Sequence, residues 1–148
     1  VDLASFNVVE SYLGDFREIV SDYVDIILAN EEEARAFTGK EAHEAINEMA
    51  EMSEIAVIKL GKEGSIIKRG EELIKVDSIE AAGLDTTGAG DLYAAGFLYG
   101  LCNDEGLDKC GMYGSILAGN VIEVIGPKMD ADRWNKVKRI ISQVRKEF

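Results

Sequence analysis

At 148 residues, 47% hydrophobic and 30% charged, the chain has the size and composition of one globular domain able to bury a core. Its net charge of −12 argues against nucleic acid and against an anionic membrane as partners, but not against a small anionic ligand, which a helix N-terminus can hold within an acidic protein. No apolar run reaches the length of a membrane helix, the start Val1-Asp2-Leu3-Ala4 does not read as a signal peptide, and Cys102 and Cys110 form neither a CxxC pair nor a metal cluster, so they read as reduced thiols of a cytoplasmic protein.

Val1 to Ala4 reads as the end of a strand, and with no initiator Met that opening suggests processing or a fragment. Val8, Val9, Tyr12, Leu13, Phe16, Ile19, Val20 and Tyr23 recur at helical spacing and predict one apolar stripe. Ile26-Ile27-Leu28-Ala29 is a continuous apolar run, as in a strand covered on both faces, so an α/β pattern begins here. Asn30 is a good N-cap for the next helix, Glu33 three residues on completes a capping box, and Gly39 is a plausible stop. Ala42, Ala45, Ile46, Met49 and Ala50 form the next stripe, with His43, the sole histidine, off it and exposed. Residues 55–60 predict a second buried strand, and Gly61-Lys62-Glu63-Gly64 a tight turn after it. Lys59, at that strand's end, either reaches a phosphate or is merely solvated. Residues 65–68 and 73–76 predict a hairpin about Gly70 at the sheet edge.

Further on, Ala94, Ala95, Gly96 and Gly100 lie in a predicted helix over 92–101, and Gly111, Gly114, Ala118 and Gly119 in another over 107–124. Glycine in a helix costs up to ~1 kcal/mol against alanine, so its use here points to close backbone packing. Gly126-Pro127 breaks the chain. Asp130 and Asp132 open a last helix and Arg145 and Lys146 close it, each complementing the helix dipole. Its buried stripe is Trp134, Val137, Ile141, Val144 and Phe148, with Trp134 as core anchor. No repeat, low-complexity segment or linker interrupts the chain, which predicts a single domain over 1–148.

The stretch that organises the rest is Asp85-Thr86-Thr87-Gly88-Ala89-Gly90-Asp91, which runs straight into Leu92-Tyr93-Ala94-Ala95. A Gly-rich loop feeding a helix N-terminus is the physical recipe for an anion site, because the first-turn N–H groups have no partner and the dipole is positive there. Gly88 and Gly90 carry no Cβ, so a phosphate oxygen can approach the backbone. Asp91, in the first turn, either simply complements the dipole or accepts a proton from a substrate hydroxyl during phosphoryl transfer. The chain has no G-x-x-x-x-G-K-[ST], which excludes a P-loop, and Tyr93 stands where a Rossmann loop needs its third glycine, which argues against nicotinamide chemistry.

Asp85 to Asp91 resembles the D-T-x-G-A-G-D signature of the ribokinase-like (PfkB) family of carbohydrate and nucleoside kinases, matching every fixed position. Asn30-Glu31-Glu32-Glu33 resembles the family's N-x-x-E motif, and Gly61-Lys62-Glu63-Gly64 stands in the expected order between the two. The resemblance covers nearly the whole chain but only the C-terminal half of a family member. It implies the C-terminal part of a three-layer α/β fold, with mostly parallel buried strands, helices on both faces and an edge hairpin. It implies ATP-dependent phosphoryl transfer to a hydroxyl of a sugar or nucleoside, with Gly88, Ala89 and Gly90 as backbone donors and Asp91 as base. Asn30 and Glu33 would organise Mg²⁺ through water, Asp85 and Thr87 resemble monovalent-cation (K⁺) residues of some members, and Lys59, Gly61 and Gly64 would border the nucleotide. Ala118, Asn120 and the Gly126 neighbourhood match the adenine-lining region, beside the simpler reading of Ala118 and Asn120 as helix packing. The segments around residues 2–6 and 29–34 look more like adenosine kinase and its sugar-kinase relatives than like ribokinase itself. The alternative is a non-catalytic nucleotide-binding or oligomerisation module, since the family's substrate-binding half and lid are absent; a half-built core would expose an apolar face and favour a homo-oligomer.

Overall fold

The computed structural model describes residues 1–147, which fall into two compact units, Val1–Lys75 and the segment from Val76 onward. The division falls within the last strand rather than at a linker. The first unit contains α1 (Phe6–Ser11), α2 (Leu13–Tyr23), β1 (Ile26–Asn30), α3 (Glu31–Thr38), α4 (Ala42–Met52), β2 (Ile55–Lys59), one turn of 3₁₀ helix (Gly61–Glu63), β3 (Ser65–Arg69) and β4 (Glu72–Val76). The strands form one sheet in the order β1-β2-β3-β4. β1 and β2 are parallel, with Asn30 opposite Lys59, which the α3–α4 crossover permits; β2 and β3 are antiparallel, with Lys59 opposite Ser65. The opening residues do lie as a strand beside β1: Leu3 N–H donates to the Leu28 carbonyl at 2.9 Å, Leu28 N–H to Val1 at 2.8 Å, and Asp2 bridges Leu28 in parallel.

The apolar runs are buried on both faces, as their continuity predicts. Ile27, Ala29, Ala56 and Ile58 join Val9, Val20, Phe37, Ile46 and Met49 in one core. Leu28, Val57 and Ile67 point the other way and are buried too. The N-terminal stripe departs from expectation. Its helix breaks at Tyr12, whose φ of −128° and ψ of 31° are not helical. Its apolar residues cover two faces: Val9 and Val20 are buried in the core, while Val8, Tyr12, Ile19 and Tyr23 stand exposed on the other. Spacing alone cannot say which of two equally apolar faces the core takes.

The second unit is built on α5 (Ala89–Leu101), α6 (Leu107–Val121) and α7 (Ala131–Glu147). The glycines of α5 and α6 are where backbones meet. A Cβ on Gly96 would lie 2.4 Å from the Tyr113 carbonyl oxygen, and one on Gly114 would lie 2.9 Å from the Tyr93 ring. Tyr113, Ile116, Leu117 and Val121 of α6 pack with Met129 and Val137, and Ile141 and Val144 of α7 lie against them. Trp134 is not the anchor predicted: it is 37% exposed, because the core that α7 covers begins at Val137 and stops short of its first turn. Phe148 lies outside the described residues. Among the described residues no helix is long and apolar enough to cross a membrane, and Cys102 and Cys110 form no disulfide.

Candidate functional site

In the first unit, the polar groups gather at the carboxyl ends of the parallel strands, where open α/β sheets place ligands. β1 ends on Asn30, which caps α3 through a complete capping box. Asn30 Oδ1 accepts from the Glu33 amide at 2.9 Å and Glu33 Oε2 accepts from the Asn30 amide at 2.8 Å. A third bond, Asn30 Nδ2 to Glu33 Oε1 at 2.9 Å, locks the two side chains face to face. Glu33 is only 6% exposed. Burial holds its carboxyl above the usual range, against the Asn30 hydrogen bond and the charge of Lys59. Each Glu33 oxygen accepts one bond and keeps a lone pair, which suits a water bound to a hard cation. Mg²⁺ characteristically keeps its waters and takes one or two carboxylates besides phosphate oxygens. Among the described residues no three His, Cys, Asp or Glu side chains gather as a metal cage.

Lys59 ends β2 and is 15% exposed, so it is not the solvated side chain that one reading expected. Its ammonium donates to both oxygens of Asp2, at 3.0 and 2.8 Å. The pairing of Asp2, 57 residues away, was not legible from the sequence. Gly61 and Gly64 have φ of 57° and 89°, and the turn closes through Leu60 N–H to the Gly64 carbonyl at 2.8 Å. His43 is exposed, as expected.

In the second unit, the loop before α5 has the form the sequence implies. Gly88 is the N-cap of α5 in the left-handed region, with φ of 79°. Asp85 Oδ1 accepts from the Thr87 amide at 2.9 Å and from its hydroxyl at 2.6 Å, while Oδ2 accepts from the Gly126 amide at 2.8 Å. These bonds hold the Asp85 carboxyl below the usual range, the Thr87 hydroxyl contributing most. Asp91 is exposed and stands in the first turn. One donor expected from the sequence is engaged. The Ala89 amide bonds the Thr86 carbonyl at 3.1 Å, because the chain tightens as it enters the helix. Among the described residues the amides of Gly88, Gly90 and Asp91 have no backbone acceptor, so Asp91 adds a donor that the sequence reading did not name.

Ala118 is half-buried in α6. Asn120 is 2% exposed, and its Nδ2 donates back to the Ile116 carbonyl at 2.8 Å. Its Oδ1 is buried with no partner among the described residues. An unpaired buried acceptor costs about 1–3 kcal/mol, so packing alone does not account for an amide here.

The family model for pfkB family carbohydrate kinases matches residues 4–133. An uncharacterized sugar kinase of Archaeoglobus fulgidus is 36% identical over 120 residues, which are 80% of this chain and 48% of that protein. The crystal structure of adenosine kinase from Sinorhizobium meliloti superimposes with a TM-score of 0.88 at 35% identity, over 94% of this chain and 43% of that one. The ribokinase of Arabidopsis thaliana, solved with ribose and ATP, superimposes with a TM-score of 0.71 at 26% identity, over 82% of this chain and 42% of that one. Of these two structures the chain is more similar to the adenosine kinase than to the ribokinase, in identity and in shape. The chain spans less than half the length of each of these relatives.

Proposed function

Because the chain belongs to the pfkB family of carbohydrate kinases, we propose that it is the nucleotide-binding and catalytic portion of a kinase that moves the γ-phosphoryl group of ATP to a hydroxyl of a sugar or nucleoside. The observation that carries this reading is the α5 entrance: a left-handed Gly88, free amides at Gly88, Gly90 and Asp91, and an exposed carboxylate in the same first turn. Phosphoryl transfer asks for little covalent chemistry and much positioning. The amides and the positive dipole end receive the charge that spreads over the transferring oxygens, and losing one such donor typically costs ~3 kcal/mol of transition-state stabilisation. Asp91 orients the acceptor hydroxyl and takes its proton as the new O–P bond forms and the bond to the ADP oxygen breaks. Asn30 and Glu33 would hold Mg²⁺ through water, and the ion would supply neutralisation of phosphate charge. Lys59, Gly61 and Gly64 border the nucleotide, with Lys59 steadied by Asp2, and Ala118 and Asn120 contribute to the adenine side, a reading that the unpaired, buried Oδ1 of Asn120 supports. Localisation in the cytoplasm and self-association into a homo-oligomer complete the reading.

The test is twofold. Mg-ATP is titrated into the protein by calorimetry, and transfer of labelled γ-phosphate to a panel of sugars and nucleosides is followed for wild type and Asp91→Asn. Binding is expected, with turnover falling by roughly 10³-fold or more in the variant while nucleotide affinity stays within a few fold. Retained turnover in Asp91→Asn would remove Asp91 as the base. Binding with no transfer to any acceptor would favour the non-catalytic nucleotide-binding module.

A further inference from the structure

We propose that Asp85 is a positioning residue: it bolts the phosphoryl-binding loop to the turn between α6 and α7 by hydrogen bonds alone, in the place where a monovalent cation ligand would otherwise be expected. The carboxylate spends one oxygen on each side of this junction. Oδ1 takes both donors of Thr87, at 2.9 and 2.6 Å, which fixes the turn that leads into Gly88. Oδ2 reaches 41 residues along the chain to the Gly126 amide at 2.8 Å. The backbone repeats the attachment, since the amides of Leu84 and Asp85 donate to the Ile122 carbonyl at 2.7 and 3.2 Å. On the far side of the loop, a Cβ on Gly88 would lie 2.7 Å from Pro127 Cβ, so the loop rests against the residue next to its hydrogen-bonded anchor.

The consequence is mechanical. Gly88 in its left-handed conformation sets the entry into α5, where the amides of Gly88, Gly90 and Asp91 have no backbone acceptor among the described residues. That geometry depends on Thr87 before it and Pro127 beside it, and the Asp85 carboxylate holds Thr87 and Gly126, the residue before Pro127. Three donors converge on its two oxygens, and a donor set of two amides and a hydroxyl binds a carboxylate well without help from an ion. The inference rests on the reading of the loop as the phosphoryl site, but its first readout does not.

Asp85→Asn dissects the anchor. The amide oxygen can keep accepting from Thr87, while its NH₂ group meets the Gly126 N–H donor to donor, so the cross-junction bond alone is lost. Amide hydrogen exchange is measured residue by residue. In the wild type, Gly126 should be protected at least about tenfold over its unstructured rate. In Asp85→Asn, exchange at Gly126 and at Ala89 and Leu92, whose amides bond the Thr86 and Gly88 carbonyls, should speed about tenfold, with Thr87 and the core of α6 unchanged. For phosphoryl transfer, kcat should fall about tenfold while KM for the acceptor moves less than about threefold. Replacing K⁺ by a bulky organic cation should leave wild-type exchange at these amides unchanged. An unprotected wild-type Gly126 overturns the proposal without any variant, as does unchanged exchange at Ala89 and Leu92 in Asp85→Asn. Protection of Thr87 that appears only with K⁺ also overturns it and returns Asp85 to the cation. If exchange behaves as expected and the wild type neither binds Mg-ATP nor turns over, the anchor stands and the kinase reading falls.

Discussion

At an ordinary helix N-cap, Asn and Asp are interchangeable. At residue 30 they are not, because Asn30 uses its NH₂ as well as its oxygen: Nδ2 donates to Glu33 Oε1 at 2.9 Å. An aspartate in its place would set two carboxylates against each other, one of them the already buried Glu33. One of the pair would then have a folded-state pKa raised above its unfolded value, so the destabilisation is present above that pKa and vanishes as pH falls through it. Asn30→Asp should therefore lower stability by about 1–3 kcal/mol at pH 7, and the gap to wild type should close near pH 4 in urea titrations. Asn30→Ala removes the cap and should cost about 1 kcal/mol at least, with no such recovery. A constant gap for Asn30→Asp across pH would refute the face-to-face arrangement. The capping box was legible because its spacing is local and its chemistry fixed. The third bond, between the two side chains, was not, since nothing in an Asn-x-x-Glu spacing says where the NH₂ points.

Glycines in α5 and α6 make the same distinction between elements. The sequence showed that Gly96, Gly100 and Gly114 were too many for a helix that did not need them. It could not show which partner each would meet. Gly96 faces the Tyr113 backbone, Gly100 faces Cys110, and Gly114 faces Tyr93. A methyl at Gly96 has only main chain to displace, so Gly96→Ala should destabilise by about 1–3 kcal/mol, or several degrees in Tm. Gly14 in α2 is the control: no atom lies within 4 Å of its absent Cβ, so Gly14→Ala should stabilise, by up to about 1 kcal/mol. Equal effects from both substitutions would mean that helix propensity, not the close approach, governs these positions. The elements that sequence misplaced fail for a related reason. The N-terminal stripe and Trp134 were correctly assigned to helices, but periodicity marks a face without marking where the core under it ends. β1 and β2 needed no such information, because a continuous apolar run is buried whichever way it turns, as Leu28 and Ile27 show from opposite faces.

Over the whole molecule the net charge of −12 sets two pH-dependent effects against each other. Self-repulsion weakens the compact state at neutral pH and disappears toward the pI near 4.5. Against it stand carboxylates that the fold holds below the usual range: Glu48 through Lys40 and Arg17, Glu41 through Arg35, Glu123 through Arg133, and Asp85 through Thr87 and Gly126. Each contributes stability above its unfolded pKa and loses it as pH falls through the folded one, so acid removes their help in the range below about 4. Glu33 has the opposite sign: with its pKa raised, it favours the folded state as it takes up its proton, and loses that benefit as pH rises. Four groups outweigh one, so stability should be greatest at mildly acidic pH and should fall steeply below about pH 4. Salt separates repulsion from pairing. Between about 0.01 and 0.1 M salt the screening length shrinks from ~30 to ~10 Å, which damps repulsion across the surface far more than contacts at hydrogen-bond distance. Tm at pH 7 should therefore rise with salt, and the rise should be absent at about pH 4.5, where no net charge remains to screen. A Tm that falls with salt at pH 7 would mean that the surface pairs, such as Arg35 with Glu41, contribute more than the repulsion takes away, against the small worth of exposed ion pairs in general.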